Sequence, residues 1–301
     1  MHVIAPIAVD THPLPQRSTL APMRNGRGDP TTQLSDGEFW RATLTPDGPA
    51  TLHLDWRTGE LRMRAWGPGA EHVLASAPHL IGTHDTPVRF VDAHPVVMAA
   101  QHRHPGLRIG ASRTLYHELL PTILAQRITA QEAVAQWRHL CLHLGDRAPG
   151  PHPDLRLPPA PERLAVTPTW WFHPIGVERK RAEALVEVAR HARTIESWID
   201  LPAAEVASKL SLLRGIGEWT IGVVLGTALG EPDAIAVGDF HLKNTVAWAL
   251  AREPRADDDR LVALLEPYRG HRGRVVKLIH LDGHAAPKFG PRQRILPMQR
   301  W

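Results

Sequence analysis

Between Phe39 and Trp66 the chain alternates apolar and polar positions with a period of two. The runs are Phe39 to Leu44, Thr51-Leu52-His53-Leu54-Asp55-Trp56 and Leu61-Arg62-Met63-Arg64-Ala65-Trp66. This pattern predicts antiparallel strands with one buried face, the last two joined by the turn Arg57-Thr58-Gly59. Helical segments follow at about 70–77 and 95–101, so residues 36–105 are expected to form a small α+β domain. From Gly106 onward the period becomes helical. Leu115, Leu119 and Ile123 share one helix face. Thr129 and Glu132 form a capping box for the next helix, with the stripe Val134, Trp137, Cys141 and Leu144 and a stop at Gly145. The short turn Gln126-Arg127-Ile128 separates the two. Residues 146–161, DRAPGPHPDLRLPPAP, are too rich in proline for a helix or a central strand and read as a connection. Further helices are expected at about 178–192, 203–213, 218–229, 240–251, 257–265 and 271–281, completing a mostly helical domain over 106–284. Residues 1–35, which include RNGRGDPTT, show no period and are expected to be flexible or to lie along a surface; 285–301 form a basic, irregular tail.

The densest chemical signal lies in Leu212–Asp239, LLRGIGEWTIGVVLGTALGEPDAIAVGD. Gly215-Ile216-Gly217 separates two apolar helical runs, so two helices meet across a tight hairpin. Glycine supplies positive φ and close backbone approach there. The same turn points successive N–H groups at one spot, beside the positive end of a helix, and thereby forms a small anion cradle suited to a phosphate. Twenty-two residues after Gly217 the chain reaches Gly238-Asp239, where the next helix begins. Taken singly, the glycines read as an ordinary helix cap and Asp239 as an N-cap. Their joint spacing is more specific.

Composition narrows the classes. At 301 residues with 43% apolar content the chain can bury a sizeable core. A net charge of +4, a pI near 9.6 and 19 histidines permit a basic face and a nucleic-acid partner. The single cysteine, Cys141, excludes a disulfide framework and a four-cysteine iron–sulfur cluster. No apolar run of about 18 residues is present, so no membrane span is expected and a cytoplasmic protein is the default expectation. His102 and His104 lack Cys or carboxylate partners and read as solvated residues, so no metal ligands are assigned. Trp170, Trp171 and Phe172 read as core or as base-stacking groups. Arg269, His271, Arg272 and Arg274 read as a phosphate contact or an exposed charged face.

The hairpin, the following loop and its terminal Asp together resemble the helix-hairpin-helix DNA glycosylases. From about Arg103 to His280 the chain is similar to the bacterial alkylation-repair family of 3-methyladenine DNA glycosylase II. The similarity is carried by HPGLRIG at 104–110, ILAQ at 123–126, KRAEAL at 180–185, LLRGIGEWT at 212–220, VGDFHLKN at 237–244 and EPYRGHR at 266–272. The resemblance implies a mostly α fold with two helical subdomains, preceded by a TBP-like α+β domain. It implies excision of alkylated purines from double-stranded DNA by a nucleoid-associated monomer, with Asp239 as the catalytic carboxylate and Trp219, Val223 and His280 around the base. It also implies DNA contacts by Arg214, Gly215, Ile216, Gly217 and Arg272, and by the Gln126-Arg127-Ile128 turn, which enters the gap left by a flipped nucleotide. No cofactor is implied beyond a monovalent cation, Na+ or K+, at the hairpin. The chain departs from the family at Arg127, where the relatives have an apolar wedge and Ile128 is the apolar alternative here. It departs also at His280, where they have a second Trp, and at Val223, where they have a Tyr. Relatives that cleave the strand carry a lysine two residues after the second glycine; Trp219 stands there. Two other readings remain: a glycosylase for oxidised or mismatched bases, and a non-catalytic helix-hairpin-helix DNA-binding protein.

Overall fold

In the computed structural model, which describes residues 7–8 and 17–287, the period-two segments form β3 (Glu38–Thr45), β4 (Gly48–Asp55) and β5 (Arg62–Trp66). Two short strands, β1 (Ile7–Ala8) and β2 (Thr32–Ser35), complete an antiparallel sheet in the order β1-β5-β4-β3-β2. Leu54 lies opposite both Phe39 and Met63, which aligns the apolar positions on one face. There they meet Leu20 at the end of α1 (Arg17–Leu20) and Val73, Ala77 and Leu80 of α2 (Ala70–Leu80). On the opposite face Trp40 stacks on His53 at 3.7 Å. Leu155 and Leu157 of the proline-rich connection pack on Ala42 there, so this stretch covers the sheet.

Residues 17–35, expected to be flexible, are built into the fold. Asp29 is buried, and its carboxylate accepts hydrogen bonds from the Asn25 N–H at 2.7 Å, the Thr31 N–H and hydroxyl at 2.9 Å each, and the Trp137 indole at 3.0 Å. One desolvated acceptor with four donors orders a segment that has no apolar period to do so. Residues 1–6, 9–16 and 288–301 lie outside the described residues, and most of the basic tail with them.

The sheet is joined to the helices through a buried ion pair. Arg41 of β3 reaches Glu118 of α4 (Leu115–Leu124) at 2.6 Å and also donates to the Met23 carbonyl at 3.0 Å. The neighbouring His117 lies between the Thr31 and Thr43 hydroxyls, and burial holds its pKa well below the ordinary value. Every residue of α4 is buried, which explains why its sequence is apolar beyond a single stripe. Around it stand α5 (Ala130–Leu144), α6 (Pro161–Ala165), α7 (Arg179–Arg190), α8 (Ala192–Glu196), α9 (Ala203–Leu210) and α10 (Glu218–Val224). The capping box at Thr129 and Glu132 is formed, and Cys141 is fully buried in this cluster. Phe172 is core, while Trp170 is exposed.

A second helical subdomain comprises α3 (Pro95–Arg103), α11 (Leu242–Ala251), α12 (Asp258–Leu265) and α13 (Arg272–Leu281). Val97 and Ala100 of α3 belong to its core with Val246, Leu261, Val275 and Ile279. The sequence pattern assigns α3 to the 36–105 domain. Its apolar face instead completes a core contributed from 140 residues and more downstream. Among the described residues no helix is long and apolar enough to cross a membrane.

Candidate active site

The hairpin joins α9 to α10. Ile216 is buried between the two helices and anchors the turn. Gly215 has φ +86°, and a Cβ there would lie 2.8 Å from the Ala184 Cβ of α7, so both conformation and packing require glycine. Gly217 differs: its φ is −104° and a Cβ would meet nothing within 4 Å. The fold gives no reason for glycine at this N-cap. The vacancy beside it keeps the first amides of α10 open to an approaching anion. Arg214, next to the turn, is exposed and 3.8 Å from Glu183.

After α10 one π-type turn (Leu225–Leu229) ends at Gly230, and an irregular loop leads to Asp239. Two contacts fix this loop. Gly222 on α10 lies so close to the Ile235 carbonyl that any Cβ would collide with backbone. On the other side Arg272 donates from its backbone N–H and its guanidinium to Asp233, at 3.0, 2.8 and 2.5 Å. Arg272, for which the resemblance implies a DNA contact, is half-buried and paired with Asp233, where it clamps the loop that carries Asp239. Arg274, by contrast, is fully buried and paired with Asp85.

The loop delivers Asp239 to a defined place. Its Oδ1 accepts the N–H groups of His241 and Leu242, each at 2.8 Å, and its Oδ2 accepts the Trp219 indole N–H at 3.1 Å. The carboxylate thus ties the first backbone N–H groups at the start of α11 to the Trp219 indole on α10. Trp219 lies half-buried one turn before Val223, so two of the predicted pocket residues share a helix face. His280 on α13 is close enough for the Asp239 charge to raise its pKa, yet desolvation by the surrounding protein outweighs this and lowers it from the ordinary 6.5.

The Gln126-Arg127-Ile128 turn stands beside the hairpin, but its members separate by role. The Gln126 amide donates to the Gly215 carbonyl and to the Thr220 hydroxyl, both at 2.9 Å, so Gln126 fastens the turn to the hairpin. Ile128 is half-buried. Arg127 is exposed and sits in the left-handed region at φ +58°, which leaves it at the apex. Phe240, overlooked in the sequence reading, is 74% exposed and edge-on to His241 at 5.0 Å. Its signal was a large aromatic directly after the loop-terminal Asp. Among the described residues no group of three or more His, Cys, Asp or Glu could hold a metal ion.

A 3-methyladenine DNA glycosylase from Archaeoglobus fulgidus superposes with a TM-score of 0.77 at 17% identity, over 93% of this chain and 98% of that one. The chain has the helix-hairpin-helix DNA glycosylase fold. An 8-oxoguanine glycosylase/lyase from Clostridium acetobutylicum, bound to double-stranded DNA, shares the glycosylase fold at a TM-score of 0.65 and 12% identity, over 87% of this chain and 89% of that one. By sequence, DNA-3-methyladenine glycosylase 2 of Escherichia coli is 26% identical over 141 residues, 46% of this chain and 50% of the relative. YfjP of Bacillus subtilis, named provisionally as a DNA-3-methyladenine glycosylase, is 23% identical over 172 residues, 55% of this chain and 58% of the relative. The match thus spans little more than half the length of these curated relatives. No family model matches the chain.

Proposed function

We propose that this chain is a monofunctional DNA glycosylase that excises alkylated purines, 3-methyladenine first and 7-methylguanine second, from double-stranded DNA. The observation that carries the reading is the Asp239 carboxylate, held by three donors beside Trp219, two residues after the glycine hairpin. A base inside a duplex is out of reach, so the nucleotide must swing out of the stack before its N-glycosidic bond breaks. The sugar then acquires oxocarbenium character. A carboxylate fixed beforehand beside that cation stabilises it without reorganising, and it can orient the attacking water. The names of the similar proteins support this substrate class.

An N3-methylated adenine or N7-methylated guanine is cationic, so its bond to the sugar is already weakened and little general-acid help is needed. An aromatic face attracts such a base by roughly 0.5 to 2 kcal/mol, and Trp219 offers one next to Asp239. His280 is exposed at one edge, yet partial desolvation lowers its pKa from the ordinary value, so the imidazole is neutral at neutral pH and does not repel a cationic base. Protonation on acidification introduces that repulsion. Excision of 3-methyladenine is expected to fall only below the usual histidine range, and His280→Gln is expected to flatten this acid limb. An unchanged pH profile in the variant would remove His280 from the pocket.

With Trp219 at the position of the strand-cleaving lysine, no amine stands there to attack the sugar. The expected product is an intact abasic site, and borohydride should trap no covalent enzyme–DNA complex. The hairpin carbonyls of Leu213 and Gly217 each accept one N–H and that of Gly215 accepts the Gln126 amide, leaving a lone pair on each. This set of neutral oxygens suits a monovalent rather than a divalent cation, and such an ion would stiffen the hairpin; no step above uses it. The deciding experiment measures bases released by purified protein from methylated DNA. Ready release of hypoxanthine or 8-oxoguanine, with methylated purines left in place, would overturn the substrate assignment.

A further inference from the structure

The segment Arg24–Asp29, RNGRGD, takes no part in the site described above, yet it is firmly held. Four hydrogen bonds converge on the buried Asp29 carboxylate, including the one from Trp137 of α5. Gly26, at φ +80°, packs so closely on the Val134 side chain of α5 that a Cβ would overlap it. Gly28 is also left-handed, at φ +82°, with nothing within 4 Å. Between these two glycines the loop projects Arg27, which is exposed and has no hydrogen bond or acidic partner among the described residues. Several other exposed arginines are neutralised by neighbours: Arg57 by Asp55, Arg163 by Asp146, Arg179 by Glu183 and Arg260 by Glu253.

The position of this loop gives it meaning. Val134 lies five residues beyond Thr129, the N-cap of α5, and Arg127 stands just before that cap. At 1.5 Å per helical residue the foot of the loop is about 7 Å along α5 from Thr129. We propose that the Arg24–Asp29 loop is a second contact with the DNA backbone, in which Arg27 meets a phosphate a few nucleotides from the lesion, on the side of the Arg127 turn away from the hairpin. The α+β domain then takes part in binding through this loop. A loop already fixed by Asp29 loses little conformational entropy on contact, so a single arginine can be effective. A phosphate contact positions the duplex without reading sequence. The inference rests on the proposed DNA substrate, but it requires binding only and not excision.

The test is the salt dependence of binding to undamaged and abasic-analogue duplexes, measured by fluorescence anisotropy. Arg27→Ala is expected to weaken both about fivefold near 0.1 M salt and to reduce the slope of log K against log salt by about 0.9, the value of one phosphate contact. Arg190→Ala, which removes an exposed charge at the far end of α7, is expected to leave the slope unchanged. Shortening the duplex on the Arg127 side should abolish the difference between Arg27→Ala and the parent protein, while shortening the other side should not. An unchanged slope in Arg27→Ala, an equal effect of Arg190→Ala, or an effect independent of duplex length would each overturn the proposal. Failure of excision with these binding results intact would instead count against the proposed reaction.

Discussion

Asp239→Asn is expected to lower the single-turnover rate of excision about a thousandfold, in the range found when one preorganised group facing transition-state charge is removed. Binding to an abasic-analogue duplex should stay within about threefold of the parent, since neither the phosphate cradle nor Arg127 is altered. The hydrogen bonds around the carboxylate sharpen this expectation. Two backbone N–H groups converge on Oδ1 and the Trp219 indole N–H on Oδ2, so all three neighbours are donors. An asparagine can satisfy the backbone pair with its oxygen only by turning its amide N–H toward the indole, donor against donor. Trp219→Phe supplies the control, because it removes the indole donor and keeps an aromatic ring. If excision in Asp239→Asn stays within tenfold of the parent, Asp239 is a helix cap and no more. Loss of the folded state would lead to the same conclusion.

Replacing Arg41 by Met is expected to destabilise the protein by about 3–5 kcal/mol, the usual consequence of leaving one member of a buried ion pair without its partner. Arg41 and Glu118 are each nearly inaccessible and are 2.6 Å apart. Burial raises the Glu118 pKa, with Arg41 foremost among the groups that oppose the rise. Without Arg41 the native state holds a proton that the unfolded chain releases near the ordinary value of 4.5. Stability must then decline as pH rises above that value, so the loss should be greater at pH 8 than at pH 5. Arg41→Met with Glu118→Leu should recover most of it, because no stranded charge remains. Urea denaturation of the single and double variants at both pH values measures this. A single variant no less stable than the double would contradict it.

These two sites also show what the sequence made legible. The Gly215–Gly217 hairpin and Asp239 could be read because their chemistry is local: backbone conformation, capping and one fixed spacing lie within a single window. The strands and the capping box of α5 were legible for the same reason. What escaped was polar and long-range. Asp29 orders the 24–31 loop partly through an indole 108 residues away. Arg272 is neutralised by a carboxylate 39 residues earlier. Gln126 binds a carbonyl 89 residues later. None of these pairs leaves a periodic trace, since a buried polar contact needs only one donor meeting one acceptor. The placement of α3 was missed because its apolar face names no partner until α11 and α13 are in position.

An enzyme that meets methylated DNA also meets the electrophiles that methylate it, and sulfur is the softest nucleophile a protein can expose. Here the lone thiol lies inside the bundle, fully covered, and desolvation pushes the Cys141 pKa well above its ordinary value. Methylation needs both collision and thiolate. The folded chain provides neither, so the core that supports the proposed repair site also protects its own most reactive side chain from the damage.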